Sequence, residues 1–174
     1  MQLGHEEEGF RKLSDFVTRY PEAPLTPQVV FWLADAYKTR GDALSAHKYF
    51  ERLIRYYPRE ANIPDAYLEN GLVYEQEGAL DAALRHYELA EQSGSEAVAG
   101  HAAVLAGGIH EKKGRLQEAM GSYRRAAAKA SPWRKVAYAR QGRLERENKN
   151  LKEAVGLLEQ DPHLDKRRHG LGQR

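Results

Sequence analysis

Three glycines cut the middle of this chain into nearly equal lengths. Gly41, Gly78 and Gly114 are separated by 78−41=37 and 114−78=36 residues. Four residues before each stands a ring, Tyr37, Tyr74 or His110. Five residues after each comes alanine (Ala46, Ala83, Ala119), and nine after comes an aromatic (Phe50, Tyr87, Tyr123). A period in this range, with a helix breaker in the middle, specifies stacked helix–turn–helix units. Each unit is too small to bury its own apolar face, so neighbours must stack. A single globular core is thereby ruled out.

The unit is clearest between Val30 and Pro58. Leu33, Ala34 and Tyr37 make one face of a first helix, and Ala46, Phe50 and Leu53 make the facing stripe of a second. Gly41 supplies the turn, since glycine adopts positive φ without a steric penalty. Tyr57-Pro58 stops the second helix, because proline cannot continue it and the residue before proline avoids α geometry. Ala34 and Ala46 permit close approach, and Tyr37 and Phe50 fill the space beside them. Gly71, Gly107 and Gly142 fall inside helices, where glycine costs about 1 kcal/mol relative to alanine. Their recurrence predicts close helix–helix contact at all three.

This pattern resembles the tetratricopeptide repeat, in which an aromatic–Leu–Gly–Tyr run is followed by Ala, Phe and Pro. A second copy carries Gly71, Tyr74, Gly78, Ala83, Tyr87 and Ala90, with Asn70 where leucine is expected. A third carries Gly107, Gly114, Ala119, Tyr123 and Ala126, with Ala106 for leucine and His110 for tyrosine. A fourth, weaker copy has Gly142, Ala154 and Leu158, with Lys149 at the turn position. At the N-terminus Gly4, Gly9, Leu13, Phe16, Tyr20 and Pro21 align with Gly41, Ala46, Phe50, Leu53, Tyr57 and Pro58. The chain is therefore expected to open on the second helix of a repeat without its first, as a piece of a longer protein or a lone packing helix. Phe10, Leu13, Phe16 and Val17 would form its apolar face.

The resemblance implies an all-α, right-handed superhelix of about nine antiparallel helices. The domain would span residues 1–162, with a half repeat over 4–21 and repeats near 27–58, 64–94, 100–132 and 135–161. A basic tail, 163–174, has no apolar period and is expected to be disordered. The strings around Tyr20-Pro21, Phe31-Trp32-Leu33 and Tyr57-Pro58 are most similar to the bacterial cell-envelope branch of the family. That branch includes the periplasmic coordinator of the Tol–Pal system and the lipoprotein of the β-barrel assembly machine.

The resemblance also implies that first helices line a concave groove that takes a peptide or helical segment of a protein partner. The inner stripe would be Gln28, Phe31, Asp35 and Lys38, then Asp65, Leu68, Leu72 and Glu75. It would continue with His101, Val104, Gly108 and Glu111, and end with Val136, Ala139, Arg143 and Arg146. Steps of three and four put each set on one helical face. Phe31, Leu68, Leu72 and Val104 would make an apolar floor, or else pack against the adjacent helix. Asp35 stands where a carboxylate clamp would need asparagine, so chaperone tails are not the expected ligand.

The sequence holds no motif for chemistry. There is no cysteine, which excludes disulfides and thiolate sites. His110-Glu111 is followed by Lys112-Lys113-Gly114, so no HExxH helix forms, and no GxSxG or phosphate loop occurs. The expectation is a non-enzyme without metal or cofactor, with His47 and His86 at the surface or groove edge. The alternatives are a self-assembling structural module or the regulatory part of a larger enzyme. Residues 1–99 hold 10 Lys/Arg and 17 Asp/Glu (−7), and residues 100–174 hold 17 and 8 (+9), which sums to the net +2. Such polarity steers charged partners or favours head-to-tail association. Lys166, Arg167 and Arg168 lack interleaved aromatics, so nucleic acid is not the expected partner. No apolar run is long enough to span a membrane. The compartment stays open: the cell envelope if an export signal lies outside these residues, the cytoplasm otherwise.

Overall fold

A computed structural model of the chain describes residues 2–159, and the side chains of 7–156. These residues form eight helices and no strand. They are α1 (Gln2–Arg19), α2 (Thr26–Thr39), α3 (Ala43–Tyr56), α4 (Ile63–Gln76), α5 (Leu80–Ser93), α6 (Glu96–Lys112), α7 (Leu116–Ala128) and α8 (Arg134–Glu159). The tail 163–174 and Asp161 lie outside the described residues.

Three hairpins, α2–α3, α4–α5 and α6–α7, turn at the periodic glycines. Gly41, Gly78 and Gly114 have φ of 76°, 78° and 69° and are the only described residues at positive φ. In each turn the amide after the glycine returns to the ring residue's carbonyl: Asp42 N to Tyr37 O at 3.0 Å, Ala79 N to Tyr74 O at 2.9 Å, Arg115 N to His110 O at 2.8 Å. This is the Schellman closure, which satisfies carbonyls that the helix end would orphan. Helix starts are also encoded locally. Asp42 caps α3 by accepting from the Ser45 amide at 3.0 Å, and Pro27 and Pro64 sit in the first turns of α2 and α4. Tyr20-Pro21 and Tyr57-Pro58 end α1 and α3 as expected from the sequence.

The core is a row of clusters along the stack. Val17, Val30, Leu33, Phe50, Leu53 and Val73 join α1 to α4. Leu84, Tyr87, Ala90, Ala102 and Ile109 continue it across α5 and α6. Ala126, Ala137, Tyr123 and Leu144 carry it to α8. Phe50 and Leu53 are completely buried, each contributing about 1.5–3 kcal/mol. First helices touch one another, α2 with α4, α4 with α6 and α6 with α8, whereas second helices make no comparable contact. The first helices therefore follow the inner, shorter arc.

Two expectations change. The turn expected at Lys149 is absent, because α8 runs unbroken from Arg134 to Glu159. Lysine and leucine are good helix formers, and no glycine or proline interrupts the run from Arg143 to Val155. The described residues thus hold eight helices, close to the nine or so expected. Gly142 is not a close-approach site: a Cβ there would meet only the Arg146 guanidinium at 3.7 Å. No described second helix covers it.

Candidate functional site: the inner face of the first helices

The inner face is charged where the sequence suggested an apolar floor. Leu68 is 5% exposed and belongs to the core. Phe31 is half-buried and meets Phe50 edge-on, ring centroids 5.9 Å apart. Leu72 and Val104 are half-buried and pack against the core clusters. A helical face about 100° wide cannot separate groove from core at its margins, which is where these residues lie.

What faces outward is a ladder of ion pairs between consecutive first helices. Lys38 on α2 reaches Glu69 on α4 and also Asp35, the latter at 2.6 Å. Burial alone would depress the Lys38 ammonium, but the two carboxylates outweigh it and hold its pKa above the ordinary value. Glu75 on α4 accepts from Lys112 on α6 at 2.6 Å. Glu111 on α6 accepts from Arg143 on α8, with Arg140 at 3.9 Å, and Glu111 raises the Arg143 pKa further. Gln28 and Arg146 are exposed. Asp65 is half-buried and makes no ion pair among the described residues; burial, with Glu69 nearby, pushes its carboxyl upward. His101 stacks flat on Trp133, centroids 3.7 Å apart and 5° from parallel, and burial lowers its pKa.

Two rungs are anchored from behind. Tyr87 on α5 passes over Gly71 and donates to Glu75 at 2.8 Å; Tyr123 on α7 passes over Gly107 and donates to Glu111. A Cβ on Gly71 or Gly107 would stand 2.6 Å or 2.5 Å from the ring's Cε1. Both rings are completely buried, and burial first, then the bonded carboxylate, pushes both phenols far above their ordinary range. In the first hairpin the same positions are Ala34, Phe50 and Lys38. With no hydroxyl to receive, the inner residue there is a cation that turns to Glu69 instead.

A second polar chain, not among the expectations, is set between α3, α4 and α5. Asn70 is fully buried. Its Oδ1 lies 2.5 Å from His47 Nδ1 and its Nδ2 lies 3.3 Å from His86 Nε2. His47 Nε2 lies 2.8 Å from Glu77, and His86 Nδ1 lies 3.1 Å from the Ala82 carbonyl. Tyr74 sits between the imidazoles, 4.0 and 4.9 Å from their centroids. His47 and His86 are thus half-buried structural partners, not edge residues. The missing leucine at position 70 was the available signal: a buried polar side chain needs partners. Burial, the largest effect on His86, lowers its pKa. His110, in the slot of Tyr37 and Tyr74, is half-buried with Nδ1 unpartnered, and burial lowers its pKa as well.

Among the described residues no group of side chains could hold a metal ion, and no helix is long and apolar enough to cross a membrane. No curated protein matches the chain. Among solved structures, the crystal structure of BtubC (BKLC) from P. vanneervenii is similar with a TM-score of 0.65 and 13% identity, covering 99% of this chain and 78% of that one. At that identity the likeness speaks for the fold alone. Residues 31–98, which run from within α2 into α6 and include the rungs at Lys38 and Glu75, match the family model described as Tetratricopeptide repeat. Over residues 31–98 the chain is thus similar to tetratricopeptide repeats, and the stack of helix pairs continues beyond that stretch through α8.

Proposed function

We propose that this protein is a non-catalytic scaffold that holds an extended or helical segment of a protein partner against the inner face of α2, α4, α6 and α8. The observation that carries the reading is the graded charge of that face. Asp35 and Glu69 pair with the single Lys38 at one end, with Asp65 near Glu69, and Arg140, Arg143 and Arg146 stand on α8 at the other. Asp65 and Arg146 are the rungs with no ion pair among the described residues, one at each end. A segment with basic side chains at one end and acidic ones at the other would meet complementary charge along its length. Specificity then comes from charge register more than from apolar anchors.

The test uses a fluorescent peptide with lysines at one end and glutamates at the other, read by anisotropy. Exchanging Asp65→Lys and Arg146→Glu removes no side chain that is itself ion-paired and should weaken binding at least several-fold. Binding that ignores both exchanges and salt would sink the reading. The narrower placement in a bacterial cell-envelope assembly is also proposed, on the Tyr-Pro helix stops and the Phe31-Trp32-Leu33 run.

A further inference from the structure

The two end helices expose complementary faces. First helices align as α2, α4, α6 and α8 with offsets of 37, 36 and 35 residues. One set of positions, Val29, Ala66, Ala102 and Ala137, packs on the preceding second helix and is buried in all four, at 2%, 0%, 0% and 0% exposure. Val73, Ile109 and Leu144 repeat this, at 1%, 0% and 5%. A different set faces the hairpin's own second helix. Val30 and Ala103 are 0% exposed there, whereas Tyr138 of α8 is 59% exposed. At the next such position Gly71 and Gly107 receive Tyr87 and Tyr123, whereas Gly142 receives no ring and has only the end of the flexible Arg146 side chain nearby, at 3.7 Å from a Cβ position. So α8 is packed as a first helix on one side and, among the described residues, uncovered on the side where a second helix belongs.

Helix α1 is the converse. With an offset of 37 it aligns with α3, and Phe10, Phe16 and Val17 pack on the α2–α3 hairpin as a second helix packs on the next unit. Its other face is open among the described residues. Ala46, Ala83 and Ala119 are 0% exposed, yet nothing lies within 4 Å of a Cβ on Gly9, the equivalent position. Phe50, Tyr87 and Tyr123 are 0% exposed, yet their counterpart Leu13 is 37% exposed. What α1 leaves uncovered is the surface by which second helices grip first helices.

We infer that α1 of a second copy of this chain docks on α8, so that Leu13 enters the notch at Gly142 and the two copies complete one hairpin between them. Charge favours this occupant over an unrelated helix. Residues 1–99 carry −7 and residues 100–174 carry +9, so the join brings opposite fields together. The interface is heterologous, leaving an open α1 and an open α8 on each pair, so it propagates into rings or filaments.

The chain has no cysteine, which makes the geometry directly testable. Leu13→Cys and Gly142→Cys single variants of the full chain are mixed under mild oxidation. The mixed disulfide should exceed same-residue dimers several-fold. In parallel, sedimentation of the unmodified chain should show average mass rising with concentration and falling toward the monomer as salt screens the fields. This second measurement needs no variant, so a misfolded cysteine variant does not spare the inference. A monomer at every concentration in low salt, or cross-links only between identical positions, overturns it. So does a monomer whose Gly142→Cys thiol resists alkylation, since that face of α8 would then be covered within one chain.

Discussion

Gly107 and Gly108 are neighbours in the same helix, and alanine should act on them with opposite sign. A Cβ on Gly107 would lie 2.5, 2.8 and 2.9 Å from Cε1, Cζ and Cδ1 of Tyr123. That ring is 0% exposed and bonded to Glu111, so it cannot swing away. Overpacking of this kind costs about 1–3 kcal/mol, while replacing a helical glycine by alanine returns about 0.4–1 kcal/mol. The net for Gly107→Ala is a loss centred on about 1.3 kcal/mol, within a range of about 0–2.6 kcal/mol. At Gly108 nothing lies within 4 Å, so only the favourable part remains. At about 2–4 °C per kcal/mol for a chain of this size, thermal melting by far-UV circular dichroism should fall by several degrees for Gly107→Ala and rise by a few for Gly108→Ala. Adding Tyr123→Leu to Gly107→Ala should remove the clash and recover part of the loss, offset by the ring's own burial. If both alanines moved the melting temperature the same way by similar amounts, the ring-in-notch packing would be wrong.

Tyr87→Phe should destabilise by about 1.5–3 kcal/mol, one hydrogen bond to a carboxylate, in urea unfolding; Phe50→Tyr should bring no matching gain, because its inner neighbour is Lys38. Asn70→Ala removes contacts to two imidazoles at once and should cost about 2–3 kcal/mol, read by the same assay. His101 has a pKa lowered by burial from its ordinary 6.5. The unfolded chain therefore takes up a proton first as pH falls through that value, and the folded state loses stability until its own lower pKa is reached. His101→Phe can keep the stack on Trp133 without a proton to bind, so its melting temperature should fall less steeply with acidification below pH 6.5. A profile parallel to that of the parent would contradict this.

The hairpins were legible because their determinants are local. A glycine at positive φ, a ring four residues before it and an alanine five after it all lie within one turn and its flanks, so a single reading frame displays them. The inner face was less legible. Leu68 and Val104 lie at the margin between two helical faces, and a small rotation of the helix decides their burial. The Glu75 and Glu111 rungs draw partners from helices more than thirty residues away, Lys112 and Arg143, which no local pattern announces. Asn70 was visible only as a departure from leucine; its meaning needed His47 and His86 brought from either side. The break expected near Lys149 came from extrapolating a period, and the local residues there favour continuation.

The hydroxyl that threads from one helix past the glycine of another ties three positions into a unit of inheritance. A tyrosine without the glycine collides, a glycine without the ring leaves a void, and a ring hydroxyl without the carboxylate has lost its acceptor. This chain already uses two settings of the trio: Ala34, Phe50 and Lys38 in one hairpin, and glycine, tyrosine and glutamate in the next two. Sequences that diverge from it should exchange such trios whole, and a hairpin transplanted by design should travel with all three members or not at all.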